Sequence, residues 1–319
     1  MKVLMGEQAG YNPELTDELR AEFPDITFVE PETSSTRERE IVDADVFFGW
    51  PTGDEMRLAT RLRWIHNPGM GIDRLMRVPE IVESDAFLTN APGPHTNPMA
   101  DHAFMYILAL AHKLVDSLDD QRQRVWDVEK YHGAMLPLDG TRLGLLSIGG
   151  IGRAVVQRAL AFGMEVYAMD PNPSDVPAGV REVYPPERLD DMLRRTDWLV
   201  VTSPLIPATR GLINAERMAL MPSGSHIIVV SRGGIVDESA LADALAAGHI
   251  AGAGIDATEI EPLPVDSPLW SAPNILITPH NSAWSTTLLA EREQIFKDNL
   301  RRFAAGKPLA FVCPMHRGY

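Results

Sequence analysis

The stretch LLSIGGIGRAV, residues 145–155, decides the fold. An apolar run leads into it and a helical pattern follows it, which is the strand–turn–helix context of a dinucleotide-binding loop. Gly149 and Gly152 stand at the second and third positions of the fingerprint G-x-G-x-x-G, where they allow backbone to approach a pyrophosphate and helix to pack on strand. Ser147 replaces the first glycine. Taken alone, the stretch predicts a nucleotide loop or a structural glycine turn about equally well.

A carboxylate follows at the distance that a dinucleotide-binding unit requires. The next apolar run, EVYAM, is followed by Asp170, 18 residues after Gly152. An acidic residue about 20 residues beyond the glycines binds the ribose hydroxyls of NAD. Because it would repel a 2′-phosphate, it favours NADH over NADPH. The alternative, in which Asp170 only begins the turn DPNP, stays open.

Short apolar runs alternate with helical or turn segments along the chain, which is the βαβ rhythm of parallel sheets. In the first half these runs lie at 2–5, 26–30, 46–50, 62–66 and 86–90. In the second half they lie at 142–147, 165–169, 198–203, 226–231, 252–255 and 274–278. The pattern predicts an α/β protein with two doubly wound parallel-sheet domains. The second sheet is expected to have six strands and the Rossmann order.

The last helical pattern makes the first domain discontinuous. A charged amphipathic helix is predicted at 287–305, after the second sheet is complete, so we expect it to return to the first half. A long, largely buried helix at 97–114 leads into the second half. The predicted substrate domain is therefore 1–98 plus 286–319, and it should have a flavodoxin-like sheet. The predicted NAD-binding Rossmann domain, 99–285, is inserted into it.

Composition limits the partners. The chain has 44 acidic and 29 basic residues and a net charge of −15, which argues against nucleic acid and anionic membranes. Its single cysteine, Cys313, can form neither an intrachain disulfide nor a cysteine zinc site, and no metal is expected. The most apolar stretch, 103–111, is too short to cross a bilayer. We therefore expect a cytoplasmic protein that acts on a small molecule.

Four further polar residues follow later strands of the second half. They are Arg232 in SRGGIVDESAL, Asp256 and Glu261 in GIDATEIEPLP, and His280 in TPHNSAW. In an open α/β sheet, ligands bind beyond the carboxyl ends of the strands, so these residues should share one rim. Histidine can exchange a proton near neutral pH, a carboxylate can stabilise the imidazolium, and arginine matches a carboxylate. Together they suit reduction of a 2-keto acid.

With these residues in view, the chain resembles the D-isomer-specific 2-hydroxyacid dehydrogenase family, which includes glyoxylate/hydroxypyruvate reductases. The resemblance covers nearly the whole chain. It includes WIHNPGMGIDRL (64–75), LTNAPGPHTNPMADHAFMYILAL (88–110), LDGTRLGLLSIGGIGRAV (138–155), VTSPLIPATRGLIN (201–214), IDATEIEPLPVDSPLW (255–270) and NILITPHNSAWS (274–285).

The resemblance implies a role for each matching position. Arg232 would orient the substrate, and Glu261 would partner His280 as proton donor and acceptor. Backbone N–H groups at Met70 and Gly71 would bind the substrate carboxylate. The cofactor-binding residues would be Gly149, Ile151, Gly152, Arg153, Asp170, Thr202, Pro204 and Asp256, with Asp256 on the nicotinamide carboxamide. The family is usually dimeric through the long helix after residue 98, so a homodimer is expected.

Two other functions remain open at this point. One is an NAD(H)-sensing scaffold like the transcriptional corepressors of the same fold, which keep the equivalents of Arg232, Glu261 and His280. The other is oxidation of formate or phosphite by a related enzyme. The expected activity is interconversion of a 2-keto acid and a D-2-hydroxy acid by NAD-dependent hydride transfer.

Overall fold

The computed structural model describes residues 1–6 and 11–315. The chain forms two compact units, Met1–His95 with Ser285–Tyr319, and Thr96–Trp284. The chain leaves the first unit once and returns to it once. These boundaries lie within three residues of the predicted ones, at 98/99 and 285/286.

The first unit contains a five-stranded parallel sheet with the order β2-β1-β3-β4-β5. This is the flavodoxin-like order that the sequence predicts. Its strands are β1 (Lys2–Met5), β2 (Thr27–Val29), β3 (Val46–Phe48), β4 (Trp64–His66) and β5 (Phe87–Thr89). Every residue of β3 and β4 is buried, as expected for central strands covered on both faces.

Helices cover both faces of this sheet. They are α1 (Leu15–Glu22), α2 (Ser34–Ile41), α3 (Gly53–Leu58), α4 (Pro79–Val82) and α11 (Leu288–Ala304). The helix α11 is the charged helix predicted at 287–305. Its Phe296 and Leu300 are fully buried in a cluster with Val3, Phe48 and Trp64 of the sheet. The apolar side of α11 therefore completes the core of the first unit.

The second unit contains a seven-stranded parallel sheet with the order β12-β11-β10-β9-β6-β7-β8. Its strands are β6 (Arg142–Leu146), β7 (Glu165–Met169), β8 (Val180–Tyr184), β9 (Trp198–Val201), β10 (Ser225–Val229), β11 (Ile250–Ile255) and β12 (Ile275–Ile277). The prediction of six strands was wrong, because β8 was missed. An edge strand pairs on one side only, and VREVY has no continuous apolar run to mark it.

The helices of the second unit are α5 (Thr96–Ala111), α6 (Leu114–Gln123), α7 (Gly150–Ala161), α8 (Leu189–Leu193), α9 (Ala215–Leu220) and α10 (Glu238–Ala246). The helix predicted at 97–114 ends earlier, at Ala111, and α6 begins after it. Lys113 separates the two with a left-handed φ of 54°. No glycine or asparagine marks the break between α5 and α6. The apolar helical pattern of the sequence therefore continues across Lys113, and it predicted one long helix. No helix in the described part of the chain is long and apolar enough to cross a membrane.

Candidate active site

The glycine-rich stretch forms the turn between β6 and α7. Gly149 is exposed, and among the described residues a Cβ built on it would have only Ser147 Oγ, 4.0 Å away, as a close neighbour. A Cβ on Gly152 would lie 2.2 Å from the carbonyl oxygen of Ser147, so only glycine fits where the helix meets the loop. One glycine thus leaves space for a ligand, and the other lets the helix pack closely.

The start of α7 suits an anionic group. Its N-cap is Gly149, which has no capping side chain, and its first turn contains no acidic residue. The N-terminus of a 12-residue helix presents unpaired N–H groups and the positive end of its dipole. Ile151 is buried, and Arg153 Nη1 donates to the carbonyl of Ile148 at 3.1 Å. These residues fit the pyrophosphate of a dinucleotide.

Ser147 adopts a left-handed backbone conformation, which glycine occupies most readily. Its φ is +81°, in the region that side chains rarely occupy. Its N–H donates to the carbonyl of Met169 at 2.8 Å, and its hydroxyl lies 3.3 Å from Asp170 Oδ2. Thr202 holds the same turn, since its hydroxyl lies 2.9 Å from the carbonyl oxygens of Leu146 and Ser147. These bonds hold the turn in a conformation that is unusual for serine.

Asp170 links this turn to the end of β7. Its Oδ2 accepts the N–H of Ile148 at 2.8 Å, and its Oδ1 accepts the N–H of Asn172 at 2.8 Å. The second contact is an Asx turn, which is the structural role that the sequence left open. The carboxylate is half-buried and has acceptor capacity left, because an ionised carboxylate offers about four lone-pair sites. Ribose binding by Asp170 stays a prediction.

Glu261 and His280 form a pair after β11 and β12. His280 Nδ1 lies 2.9 Å from Glu261 Oε1 and 2.8 Å from Oε2, although His280 comes 19 positions after Glu261 in the sequence. Both side chains are 40% exposed. Glu261 Oε1 also accepts the N–H of Thr258 at 3.1 Å, which fixes its position. A carboxylate that is hydrogen-bonded to Nδ1 fixes the orientation of the imidazole ring and leaves Nε2 available for proton exchange.

Asp256 holds the turn that carries His280. The Asp256 side chain is fully buried, and its carboxylate accepts the N–H groups of Asn281 at 3.0 Å and Ser282 at 3.1 Å. The carbonyl of Asp256 accepts the N–H of His280 at 2.8 Å. His280 has a left-handed φ of 51°, so these bonds maintain an unusual backbone. Sequence reasoning assigned Asp256 to the cofactor and missed this positioning role.

Thr278 connects this turn to α5. Its hydroxyl lies 2.5 Å from Asp256 Oδ1, 3.0 Å from His102 Nε2 and 2.5 Å from the hydroxyl of Tyr106. Burial lowers the pKa of His102 against the opposing charge of Asp256. Burial also raises the pKa of Tyr106. Both side chains are therefore neutral near pH 7, and Thr278 joins a polar network under the turn that carries His280.

Arg232 follows β10, the strand next to β11. Its side chain is half-buried, and its Nη1 donates to the carbonyl of Ser231 at 2.8 Å. A Cβ on Gly233 would lie 1.9 Å from the carbonyl carbon of Thr258. The loop of Arg232 thus packs directly on the loop that leads to Glu261. The structure therefore brings Arg232, Glu261 and His280 to one edge of the sheet, as predicted.

Met70 and Gly71 lie in the first unit, in the loop after β4. Asn67 is fully buried and donates to the carbonyl of Gly71 at 2.8 Å, and Asn90 donates to the carbonyl of Met70 at 2.6 Å. Asn67 Oδ1 accepts the N–H of Gly69 at 3.0 Å. Between described residues, the N–H groups of Met70 and Gly71 donate no hydrogen bond. The carbonyls of Met70 and Gly71 are thus hydrogen-bonded to asparagine side chains. The N–H groups of the same two residues remain available to bind an anion.

Sequence reasoning missed Asn67 and Asn90. The available signal was the position of Asn67 directly after β4, before the turn PGMG. Of the remaining predicted residues, Pro204 follows β9, and its carbonyl accepts the hydroxyl of Thr209 at 2.7 Å. This bond shapes the loop after β9.

Comparison with known proteins agrees with this geometry. The family model "D-isomer specific 2-hydroxyacid dehydrogenase, NAD binding domain" matches residues 104–282, which is more than half of the chain. The chain therefore belongs to the D-isomer specific 2-hydroxyacid dehydrogenase family. The family prediction is confirmed, and the second unit contains the NAD-binding fold of these oxidoreductases.

Individual relatives cover different shares of the chain. A D-3-phosphoglycerate dehydrogenase of Bacillus subtilis is 33% identical over 261 residues, 81% of this chain and 48% of that protein. A glyoxylate reductase of Korarchaeum cryptofilum is 32% identical over 269 residues, 83% of this chain and 77% of that protein. This chain spans about half the length of the D-3-phosphoglycerate dehydrogenases that it matches.

Solved structures share the whole fold. A D-isomer specific 2-hydroxyacid dehydrogenase of Xanthobacter autotrophicus, crystallised with NADPH and MES, is 29% identical with a TM-score of 0.86. The alignment covers 100% of this chain and 99% of that one.

Proposed function

We propose that this protein is an NAD-dependent D-2-hydroxyacid dehydrogenase that acts as a 2-keto acid reductase. The observation that carries the proposal is the contact of His280 Nδ1 with both carboxylate oxygens of Glu261, at 2.9 and 2.8 Å. This pair provides a proton donor and acceptor with a fixed ring orientation at the carboxyl edge of a doubly wound sheet.

The proposed roles follow from the contacts of each group. A bound nicotinamide dinucleotide would supply the hydride to C2 of the keto acid. His280 Nε2 gives a proton to the carbonyl oxygen, and the carboxylate of Glu261 stabilises the imidazolium that exists before transfer. Arg232 binds the substrate through its planar donors and polarises the carbonyl. The products are the 2-hydroxy acid and the oxidised cofactor, and the reverse reaction returns the proton to His280.

The substrate carboxylate is assigned to Met70 and Gly71. Support comes from Asn67 and Asn90, which donate to the carbonyls of Gly71 and Met70, while the N–H groups of these two residues have no partner in the described chain. Successive backbone N–H groups form good binding sites for anions.

The cofactor assignment rests on the turn after β6. Gly149, Ile151, Gly152 and Arg153 are proposed to surround the pyrophosphate. Thr202 and Pro204 would lie along the adenosine, and Asp256 would hold the carboxamide. We propose that NADH is preferred over NADPH, because the carboxylate of Asp170 would repel a 2′-phosphate. The Xanthobacter relative with NADPH makes this preference a useful point to test.

We further propose a cytoplasmic homodimer that contacts its partner through α5 and the segment after it. Support comes from apolar side chains concentrated there, of which Trp126 is 94% exposed and Met105 is 44% exposed. Such a cluster is typical of interaction surfaces. The single cysteine, Cys313, is buried and free, which fits a reducing compartment.

The experiment is NADH oxidation by the purified protein with glyoxylate, hydroxypyruvate and other 2-keto acids. We expect turnover that is lost in Arg232→Ala and sharply reduced in His280→Ala. A protein that binds NADH but reduces none of these acids would instead support the scaffold function.

A further inference from the structure

A cation and an aromatic ring stack at the carboxyl edge of the first sheet. The guanidinium carbon of Arg74 lies 5.4 Å from the centre of the Trp50 ring, which is within the range of a cation–π interaction. Trp50 lies two residues after the end of β3, and Arg74 directly precedes the 3₁₀ turn Leu75–Arg77 in the segment after β4. Because β3 and β4 are adjacent parallel strands, the segments after them meet at the same edge.

Trp50 connects this pair to the proposed carboxylate-binding loop. Its Nε1 donates to Asn67 Oδ1 at 3.0 Å, and the same oxygen accepts the N–H of Gly69 at 3.0 Å. Asn67 Nδ2 donates to the carbonyl of Gly71 at 2.8 Å. One buried asparagine therefore holds both the indole ring and the loop. The ring on which Arg74 stacks is thus fixed relative to the N–H groups that are proposed to bind the substrate carboxylate.

Arg74 is close enough to that loop to contact the same ligand. Three peptide units separate its Cα atom from that of Gly71, so the two atoms are at most about 11 Å apart. The chain coils in this segment, because the N–H of Met76 donates to the carbonyl of Ile72 at 2.9 Å, and this shortens the distance. An arginine side chain and a substrate of four or five carbons can together span it.

The guanidinium of Arg74 is available to an anion. Its side chain is exposed, and within the described part of the chain it forms no hydrogen bond or ion pair. Two arginines nearby that are also exposed do have carboxylate partners, since Arg57 pairs with Glu80, and Arg61 Nη2 lies 3.2 Å from Asp45 Oδ1. Stacking uses the face of the planar guanidinium and leaves the N–H donors at its edge for a carboxylate.

We infer that Arg74 binds a second carboxylate of the substrate, so that the preferred substrates are 2-keto dicarboxylates. The inference rests on the proposed function, in which the N–H groups of Met70 and Gly71 bind the carboxylate next to the keto group. Arg74 then recognises the other end of the carbon chain through charge-assisted hydrogen bonds. The ring of Trp50 limits the positions that the long arginine side chain adopts, which reduces the entropy lost on binding.

The test compares 2-keto acids of equal chain length that differ in one charge. Oxaloacetate and 2-oxobutyrate have four carbons, and 2-oxoglutarate and 2-oxopentanoate have five. We expect the dicarboxylate of at least one pair to have a kcat/KM at least roughly tenfold higher. Arg74→Gln should remove this preference and change kcat/KM for the monocarboxylate less than about threefold. Arg74→Lys keeps the charge without the planar donors and should keep part of the preference.

Arg77→Gln is the matched control, because it removes the same charge from an exposed residue three positions further along the chain. It should leave the preference unchanged. The inference is wrong if the wild-type protein prefers neither dicarboxylate, or if Arg74→Gln lowers both members of a pair equally. A preference for 3-phosphohydroxypyruvate over hydroxypyruvate, with none for a dicarboxylate, would also overturn it, because the bound group would then be a phosphate.

The supporting role of Trp50 is tested by a pair of substitutions. Trp50→Leu and Trp50→Phe both remove the hydrogen bond to Asn67, but only Trp50→Phe keeps an aromatic face for the guanidinium. We expect Trp50→Leu to weaken the preference for the dicarboxylate and Trp50→Phe to recover much of it. Equal preference in the two variants would show that stacking does not position Arg74.

A binding measurement separates this inference from the proposed function. If no 2-keto acid is reduced, the proposed function fails, and the subsite is judged by calorimetric titration with succinate and with butyrate, in which a methyl group replaces one carboxylate. Tighter binding of succinate that weakens at least roughly tenfold in Arg74→Gln, but not in Arg77→Gln, would support a site for a second carboxylate. Equal binding of the two acids, no binding, or no effect of Arg74→Gln would overturn it.

Discussion

The Nδ1 atom of His280 lies within 2.9 Å of both carboxylate oxygens of Glu261. The two residues follow adjacent strands, β11 and β12, whose parallel pairing brings the loops after them to the same edge. The loop of Arg232 joins them there, because Gly233 packs on the backbone of Thr258. The pairing of strands, rather than closeness in sequence, thus creates the proposed catalytic group.

Glu261→Gln is expected to lower kcat/KM by about 100-fold. The amide keeps the size of the side chain but removes the charge that stabilises a protonated His280. The measurement is steady-state NADH oxidation with the best 2-keto acid. Glu259→Gln is the matched control, since that residue is exposed and pairs with Arg210 instead. An equal effect of both substitutions would contradict the role of Glu261.

Thr278→Val should destabilise the protein by about 1–3 kcal/mol, because it removes one hydrogen-bond partner from each of the polar groups of Asp256, His102 and Tyr106 beneath the turn. It should also lower kcat more than it raises KM, since the turn that carries His280 loses its support. Urea unfolding and steady-state kinetics measure the two effects. Thr278→Ser keeps the hydroxyl and should recover most of both. If Thr278→Val has normal kcat, the network does not position His280.

Ser147→Gly should leave NADH affinity within about threefold and leave the free energy of unfolding equal or slightly higher. A left-handed backbone costs a side-chain-bearing residue roughly 1–2 kcal/mol, which glycine avoids, but glycine also loses more entropy on folding. Ser147→Ala keeps the backbone cost and removes only the hydroxyl near Asp170. Calorimetric measurement of NADH binding and urea unfolding of both variants distinguish the effect of the backbone from the effect of the hydroxyl. A tenfold loss of affinity in Ser147→Gly would show that the hydroxyl takes part in binding.

Asp170→Ala should raise the NADPH/NADH ratio of kcat/KM at least roughly tenfold, which corresponds to about 1.4 kcal/mol of charge repulsion. The substitution also removes bonds to Ile148 and Asn172, so both cofactors should bind more weakly. The ratio isolates the charge effect from that common loss. An unchanged ratio would leave Asp170 with its turn-forming role alone.

His66 should make the protein less stable in acid. Burial among aromatic rings lowers its pKa from 6.5 to about 3, while Thr89 lies 2.8 Å from its Nδ1. The unfolded chain takes up a proton below pH 6.5 and the folded chain does not, so stability falls as pH drops from about 6.5 towards 3. The slope is at most about 1.4 kcal/mol per pH unit.

Urea unfolding of the wild-type protein and of His66→Gln, at several values between pH 6.5 and 4, measures this contribution. The variant is expected to be less stable at pH 7 but to have a flatter profile. Parallel profiles would mean that His66 does not account for the loss in acid. Burial also lowers the pKa of His226, in the second unit, to about 4, and that contribution remains in both proteins.

The sequence predicted most of the strands because a central parallel strand buries both faces and therefore has a continuous apolar run. It failed for β8, an edge strand with charged residues. It also failed at Lys113, where a left-handed residue ends α5 without a glycine. Both failures concern features that depend on neighbours in space and leave no periodic signal.

For the site, the sequence by itself determined which residue types follow which strands. Gly149, Gly152, Arg232, Glu261 and His280 could be identified because strand order fixes the edge where loops meet. Only the tertiary structure decided the partners of Asp256, the support of the 70–71 loop by Asn67, and the pairing of Arg292 with His95. These contacts join residues through hydrogen bonds that depend on distances of a few tenths of an ångström, and no spacing along the chain specifies such distances.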